Sequence, residues 1–93
     1  MTGYDVAIPS QLRSYTGGSA NVRVAVAAGA PKLADVFEAL DAAYPGIRFR
    51  MLDEAGHVRP HIQIFVNAKV ERNPAAALPP DAKIMIVGAL SGG

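Results

Sequence analysis

Apolar residues at alternate positions predict four β-strands along the chain. The alternation occurs in residues 4–8, 22–26, 61–67 and 83–87, with the period of a strand that buries one face. A pair of glycines at 17–18 separates the first two of these segments and indicates a turn. The first two strands are therefore predicted to pair as an antiparallel hairpin with a long connecting loop.

One long segment has the period of a helix instead. Its apolar residues recur at helical spacing, at Leu33, Val36, Phe37, Leu40 and Tyr44. Pro31 suits the first turn of this helix, and the acidic residues Asp35 and Glu38 lie near its N-terminal end, where acids favour the helix dipole. Pro45 and Gly46 then end the helix.

The remaining segments are predicted to be shorter or irregular. Residues 47–60 keep no clear period, which favours an irregular segment with one short helical turn. Asn67 and Ala68 are expected to turn the chain into a short strand near residues 69–72, and residues 75–78 to form a short helical turn. The resulting order of elements predicts an α+β fold, a mixed sheet with the helix across one face and the last strand beside the first.

Composition narrows the class of protein. The 93 residues suffice for one domain, and an apolar fraction of 51% argues against disorder. No apolar stretch approaches the roughly 20 residues of a membrane span, and the first residues lack the features of a signal peptide. The absence of cysteine excludes thiol catalysis, and a net charge of +1 without a basic cluster gives no indication of nucleic acid binding. We expect a cytoplasmic protein.

The most informative chemistry lies in Gly92 and Gly93. Two residues without Cβ can pass through a narrow slot, so an enzyme could reach the main-chain carboxylate of Gly93. An ordinary frayed end is the competing interpretation, since the same dipeptide at 17–18 carries no free carboxylate. The sequence predicts a domain over residues 1–88 and a flexible tail, residues 89–93, that presents the carboxylate.

No set of side chains in the sequence converges on a catalytic or metal site. His57 and His61 are four residues apart, but Pro60 excludes a helical pair of ligands, and no third ligand is evident. Asp53 and Glu54 are interpreted as part of a solvated turn. We therefore expect no bound metal and no hydrolase or metalloenzyme activity.

Three apolar residues are predicted to lie on the side of the sheet opposite the helix. If the alternate residues of their strands face the helix, Phe65, Met85 and Val87 point outward and form an apolar patch on neighbouring strands. Exposed patches of this kind often bind a partner or a second copy of the chain. Residues 47–60 could instead cover them, or Phe65 could be half-buried at an edge of the sheet. Candidates for a polar rim are Arg13, Arg50 and Arg72.

Several short motifs are spread over nearly the whole chain. They are Ile8-Pro9-Ser10-Gln11-Leu12-Arg13, Thr16-Gly17-Gly18, Leu40, Tyr44-Pro45-Gly46-Ile47, Arg50, Asp53, Gly56, Arg59-Pro60-His61-Ile62, Phe65-Val66-Asn67, Leu78-Pro79-Pro80-Asp81-Ala82-Lys83-Ile84 and the terminal Gly-Gly. In their order and spacing they resemble the MoaD/ThiS family of ubiquitin-like sulfur carriers. The resemblance implies that the mixed sheet is a β-grasp, or ubiquitin-like, sheet.

The same resemblance implies a protein substrate, not an enzyme. An E1-like enzyme would adenylate the carboxylate of Gly93, sulfur would replace the adenylate, and the resulting thiocarboxylate would donate sulfur to a partner enzyme. ATP and Mg²⁺ would bind to the activating enzyme, because this chain has no phosphate-binding loop. The chain itself would bind no cofactor. Gly92 would accompany Gly93 into the active site. Residues expected to bind partners are Phe65, Met85, Val87, Leu90 and Ser91.

Three pathways are considered for the sulfur. Residues 12–18 resemble the carriers that feed cysteine synthesis, and we favour that pathway. Many small subunits of molybdopterin synthase have a Phe-Pro-Pro-like stretch before Gly-Gly, where this chain has residues 87–90, Val-Gly-Ala-Leu. Molybdenum cofactor synthesis is therefore second, and thiamin synthesis third. The sequence is also compatible with a protein modifier joined through Gly93 to target lysines, and with a binding module whose Gly-Gly is incidental.

Overall fold

The computed structural model describes residues 2–27 and 29–88, which form a five-stranded sheet, two α-helices and one 3₁₀ turn. The strands are β1 (Thr2–Ala7), β2 (Asn21–Val26), β3 (Ile62–Val66), β4 (Lys69–Val70) and β5 (Lys83–Gly88). The helices are α1 (Leu33–Ala43) and α2 (Arg48–Met51), and the 3₁₀ turn is Ser10–Leu12. Neither of these two helices is long and apolar enough to cross a membrane.

The sheet is mixed, as the order of elements predicts. The strands lie in the order β2-β1-β5-β3-β4. β1 and β5 are parallel, and the other neighbours are antiparallel. The predicted hairpin of β1 and β2 and the pairing of the last strand with the first are both confirmed.

The core lies between α1 and one face of the sheet. The helix contributes Leu33, Val36, Phe37 and Leu40, which are completely buried. The strands contribute alternate residues, among them Val6, Ile64, Ile84 and Ile86. Burying one such side chain contributes about 1.5–3 kcal/mol to the stability of the fold. The apolar residues at helical spacing in α1 and those at alternate positions in the strands therefore hold α1 against the sheet.

α1 begins two residues later than Pro31 suggests. Lys32 is the N-cap, and its main-chain N–H donates to Oδ2 of Asp35 at 2.8 Å. The first free N–H groups of the helix, those of Leu33 and Ala34, donate to the carbonyl oxygens of Ala76 and Pro74. Residues 74–77 are thus held as acceptors for the helix end.

This contact makes the predicted helical turn at residues 75–78 wrong. Ala77 instead forms an isolated β-bridge with Lys32, and the N–H of Leu78 donates to the carbonyl of Pro31. The N–H of Ala76 donates to the carbonyl of Asn73 and closes a tight turn at Pro74 and Ala75. Residues 76–78 then run beside the start of α1 and bond to it through their main chain, so they do not form a helical turn.

Residues 47–60 contain the single helical turn that the sequence suggests. α2 buries Met51, and Leu52 after it pairs with Val58 in a second isolated bridge. Oδ1 of Asp53 accepts the N–H groups of Ala55 and His57, both at 2.9 Å. These two bonds close the turn between the bridged residues, as an Asp side chain commonly does.

Asn67 and Ala68 form the predicted turn between β3 and β4. Both have positive φ, 49° and 69°, the combination found in type I′ hairpin turns. The main-chain N–H of Asn67 donates to the carbonyl of Lys83, and Oδ1 of Asn67 accepts the N–H of Lys83, both at 2.9 Å. The turn is therefore tied to the start of β5.

Candidate functional site on the open face of the sheet

One row of side chains crosses all five strands on the sheet face opposite α1. It runs through Asn21, Ala7, Met85, Phe65 and Val70, each paired with the next in register. In β1, β2, β3 and β5 the alternate residues are buried against α1, so this row lies on the open side. The centre of the row, from Ala7 to Val70, is apolar.

The apolar residues predicted for this face are brought together there. Phe65 lies directly opposite Met85, and Val87 follows on β5 two residues later. Met85 is 50% exposed and Val87 39%, while Phe65 is half-buried. Val70, 52% exposed, extends the group, although the sequence did not single it out. We call Phe65, Val70, Met85 and Val87 the open-face patch.

The open face is concave beside the patch. A groove of 910 Å³ lies along the face, and both Phe65 and Met85 line it. The hypothesis that residues 47–60 cover the patch is wrong, because none of those residues lines the groove and Val70, Met85 and Val87 remain exposed. A concave surface with an apolar centre is suited to holding a protruding apolar side chain of a partner.

Polar groups border the groove toward the start of β5. Asp5 and Arg23 form an exposed ion pair of 2.8 Å across β1 and β2. Lys83 lies beside Asp5 in the next strand, and Asn67 closes this end through its bonds to Lys83. The guanidinium of Arg23 also lies over Gly3, where a Cβ would come within 2.6 Å of Nη2. Positive and negative side chains alternate along this border. They are therefore suited to orienting a partner, while their net attraction for it is weak.

Of the three candidate rim arginines, one lies near the patch. The guanidinium of Arg72 mainly has a structural role, since Nη1 donates to the carbonyl of Ile62 at 2.8 Å and Nη2 to that of Val58 at 3.0 Å. Nη1 also donates to Oε1 of Gln63, which is paired with Val87. The other two have local roles: Nε of Arg13 donates to the carbonyl of Ile8, and Nε of Arg50 to the hydroxyl of Tyr15. Neither Arg13 nor Arg50 lines the groove.

Asp53 and His57 belong to a structural turn. Hydrogen bonding from the main-chain N–H of His57 holds the pKa of the Asp53 carboxyl below its ordinary value, and a further bond from Ala55 acts in the same direction. Nδ1 of His57 is 3.8 Å from Oδ2 of Asp53. Among residues 2–27 and 29–88, no three His, Asp or Glu side chains come together as a metal site would require.

The end of β5 has an additional contact that the sequence did not reveal. Gly88 pairs with Ile62 of β3, and its carbonyl accepts a hydrogen bond from Nε2 of Gln11 at 3.0 Å. Gln11 is part of a family motif, but no pattern indicated a partner 77 residues away. The predicted site residues Leu90, Ser91, Gly92 and Gly93 lie outside the described residues.

No protein-family model matches the chain, and a search of curated proteins finds no match. Solved structures do match it. CysO of Mycobacterium tuberculosis, described as an antigen, is 28% identical with a TM-score of 0.79, over 94% of this chain and 99% of that one. A chain of the BexX/CysO complex of Amycolatopsis orientalis is 25% identical with a TM-score of 0.82, over 97% and 99%. Small archaeal modifier protein 1 of Haloferax volcanii is 21% identical with a TM-score of 0.82, over 97% and 100%.

These neighbours match almost the full length of both chains, and their shared fold is the β-grasp fold predicted from the sequence. The Haloferax volcanii neighbour is named as a small modifier protein. Together with the sheet order, they show that this chain has the ubiquitin-like β-grasp fold, and they fit the MoaD/ThiS-like family that the sequence motifs resemble.

Proposed function

We propose that this protein is a ubiquitin-like sulfur carrier whose reactive group is the carboxylate of Gly93. The observation that supports this most directly is the full-length match to CysO at 28% identity, in a chain whose last two residues are Gly-Gly. The protein is a substrate in this scheme, and ATP and Mg²⁺ bind to the E1-like enzyme that activates it. We expect it to act in the cytoplasm, where ATP is available.

The chemistry follows from the poor reactivity of a carboxylate. Its negative charge repels nucleophiles, and oxide is a poor leaving group. Attack of the Gly93 carboxylate on the α-phosphorus of ATP releases pyrophosphate and gives an acyl-adenylate, which removes both obstacles. Hydrosulfide from the sulfur donor then attacks the acyl carbon, the acyl–oxygen bond to phosphate breaks and AMP leaves, so that the chain carries a C-terminal thiocarboxylate. Gly92 and Gly93, without Cβ atoms, give the activating enzyme access to this group.

The open-face patch is the proposed docking surface for the activating enzyme and for the enzyme that accepts the sulfur. Met85 and Val87 lie on β5, the strand that leads to the C-terminal residues. A partner that covers β5 therefore meets the domain beside the place where the reactive segment begins. Leu90 and Ser91 would extend this contact toward the active site.

Mass spectrometry tests the carrier function. The protein is incubated with a matching activating enzyme, ATP and a sulfur donor, and its intact mass is measured. We expect the mass to rise by the difference between sulfur and oxygen, on the C-terminal peptide. A variant lacking Gly93 serves as the control and is expected to fold but gain no sulfur. Sulfur gained by this control at its own terminus would contradict the assignment.

Cysteine biosynthesis is the favoured pathway, because CysO and a chain of the BexX/CysO complex match at 28% and 25% identity over nearly their full length. Synthesis of the molybdenum cofactor is the competing pathway. The two are separated by offering the thiocarboxylate form to a cysteine synthase-type enzyme and to a large subunit of molybdopterin synthase. We expect transfer to the first. Transfer to the second alone would reverse the assignment.

Protein modification is a second candidate function, favoured by the likeness in shape to small archaeal modifier protein 1. It shares the adenylation step and differs in the final acceptor, which is then a lysine amine. Peptides from cell extracts in which a lysine carries the Gly93 carboxyl group would support it. Their absence from cells that contain the thiocarboxylate would favour the carrier alone.

A further inference from the structure

β1 ends before the strand it pairs with. The last residue of β1 in register with β5 is Ala7, opposite Met85, so β5 continues past its neighbour to Gly88. Beyond Ala7 the chain turns away: the N–H of Ile8 donates to the carbonyl of Ala20, and Pro9 has no N–H to donate. The carbonyl of Gly88 therefore has no main-chain donor from β1.

Gln11 supplies the missing donor from its side chain. Its Nε2 lies 3.0 Å from the carbonyl oxygen of Gly88. The main chain beneath Gln11 is held in place, because Leu12 is buried and its N–H donates to Pro9, while Nε of Arg13 donates to Ile8. The side-chain amide thus replaces a ladder hydrogen bond from a fixed position on the domain.

The absence of a side chain at Gly88 leaves room for the amide of Gln11. A Cβ at this position would lie 2.5 Å from Nε2 of Gln11, so any larger residue would displace the amide. Glycine also has the widest choice of main-chain angles, and without a partner its carbonyl would take many orientations. The peptide group is planar. A bond that fixes the carbonyl of Gly88 therefore also fixes the direction of the following N–H.

We propose that Gln11 is a positioning residue, which sets the direction in which residues 89–93 leave β5. Its effect on catalysis rests on the proposed carrier function: a domain docked through the open-face patch would present the carboxylate of Gly93 along a set path. Losing the bond would leave docking intact and reduce the share of docked molecules whose carboxylate reaches ATP. Loss of one neutral hydrogen bond should lower the share of docked molecules whose carboxylate reaches ATP about two- to tenfold.

The first experiment needs no enzyme. NMR of the full chain measures hydrogen exchange of the Gln11 side-chain amide and the order parameter of the Ala89 amide. We expect about two- to tenfold protection of the Gln11 amide, and a lower order parameter at Ala89 in Gln11→Ala and Gln11→Glu. The Glu variant keeps the shape but cannot donate when ionised. Ser14→Ala, an exposed substitution nearby, is the control. An Ala89 amide that is unaffected in both Gln11 variants would overturn the proposal.

The second experiment measures adenylation by the activating enzyme at varied carrier concentration. For Gln11→Ala we expect kcat about two- to tenfold lower with KM little changed. Gly88→Ala should match it, and the double variant should lose no more than either single one, because both remove the same contact. Additive losses, or a Gln11→Ala variant equal to Ser14→Ala, would overturn the proposal. If the wild-type chain is not adenylated at all, the carrier function fails, and the NMR result still decides the role of Gln11.

Discussion

Replacement of Met85 by Asp should weaken docking of the activating enzyme without unfolding the domain. Met85 lies at the centre of the row that crosses the sheet, between Ala7 and Phe65. Half of its surface is exposed in the free protein. The side chain is therefore available to a partner, and its loss leaves the buried face of β5 unchanged.

The magnitude follows from that exposed half. Complete burial of a methionine side chain contributes about 1.5–3 kcal/mol, so Met85 can gain about 1 kcal/mol when a partner covers the exposed half. This corresponds to about fivefold in affinity for Met85→Ala. Asp adds the cost of desolvating a carboxylate in an apolar contact, so Met85→Asp should lose roughly tenfold or more.

The assay is the KM of the carrier in ATP–pyrophosphate exchange, together with direct binding to the enzyme by calorimetry. Phe49→Asp is the matched control: Phe49 is 54% exposed and lies on α2, away from the groove. We expect Met85→Asp to raise KM and Phe49→Asp to leave it unchanged. Equal weakening by the two variants, or normal binding of Met85→Asp, would show that the open-face patch is not the docking surface.

Three predictions concern the fold. Phe37→Ala should destabilise the domain by about 3–5 kcal/mol, because Phe37 is completely buried; urea unfolding checks this, and a loss under about 1 kcal/mol would mean that the core relaxes around the cavity. Ala68→Gly should raise the free energy of unfolding by about 1 kcal/mol, since Ala68 has a φ of 69°, which is strained for a residue with a Cβ. A lower melting temperature of the variant would show that Ala68 is not strained. The lowered pKa of Asp53 stabilises the fold above its ordinary value of 3.8, and this contribution is lost as the pH falls through the lower folded value. The difference in melting temperature between wild type and Asp53→Asn should therefore shrink below about pH 4; a constant difference would exclude the charge as its cause.

The periodicity of the sequence predicted most of the fold because each element buries one face. Ile84 and Ile86 alternate with outward residues, and Phe37 and Leu40 recur at helical spacing, so both strand and helix are visible in the amino acid order. The outward phase of Phe65, Met85 and Val87 followed from the same alternation. Their contact across β3 and β5 followed from the strand order, which the resemblance to a known family made specific.

Local contacts between distant segments could not be predicted in this way. The composition of residues 75–78 allows a helical turn, but the free N–H groups at the start of α1 bond to the carbonyls of Pro74 and Ala76. Gln11 is a polar residue in a short turn, and nothing near it in the sequence indicates Gly88 as its partner. Both contacts depend on where the completed sheet places the chain.

The position of β5 has a consequence for the order of events during synthesis. β5 is the last strand among residues 2–27 and 29–88, yet it lies in the middle of the sheet, between β1 and β3. Until β5 has left the ribosome, β1 and β3 have no common neighbour, and the groove lacks the residues that β5 contributes to it. A nascent or prematurely ended chain therefore lacks the proposed docking surface as well as the proposed reactive carboxylate. If the proposed function holds, an activating enzyme would bind only chains whose sheet is complete.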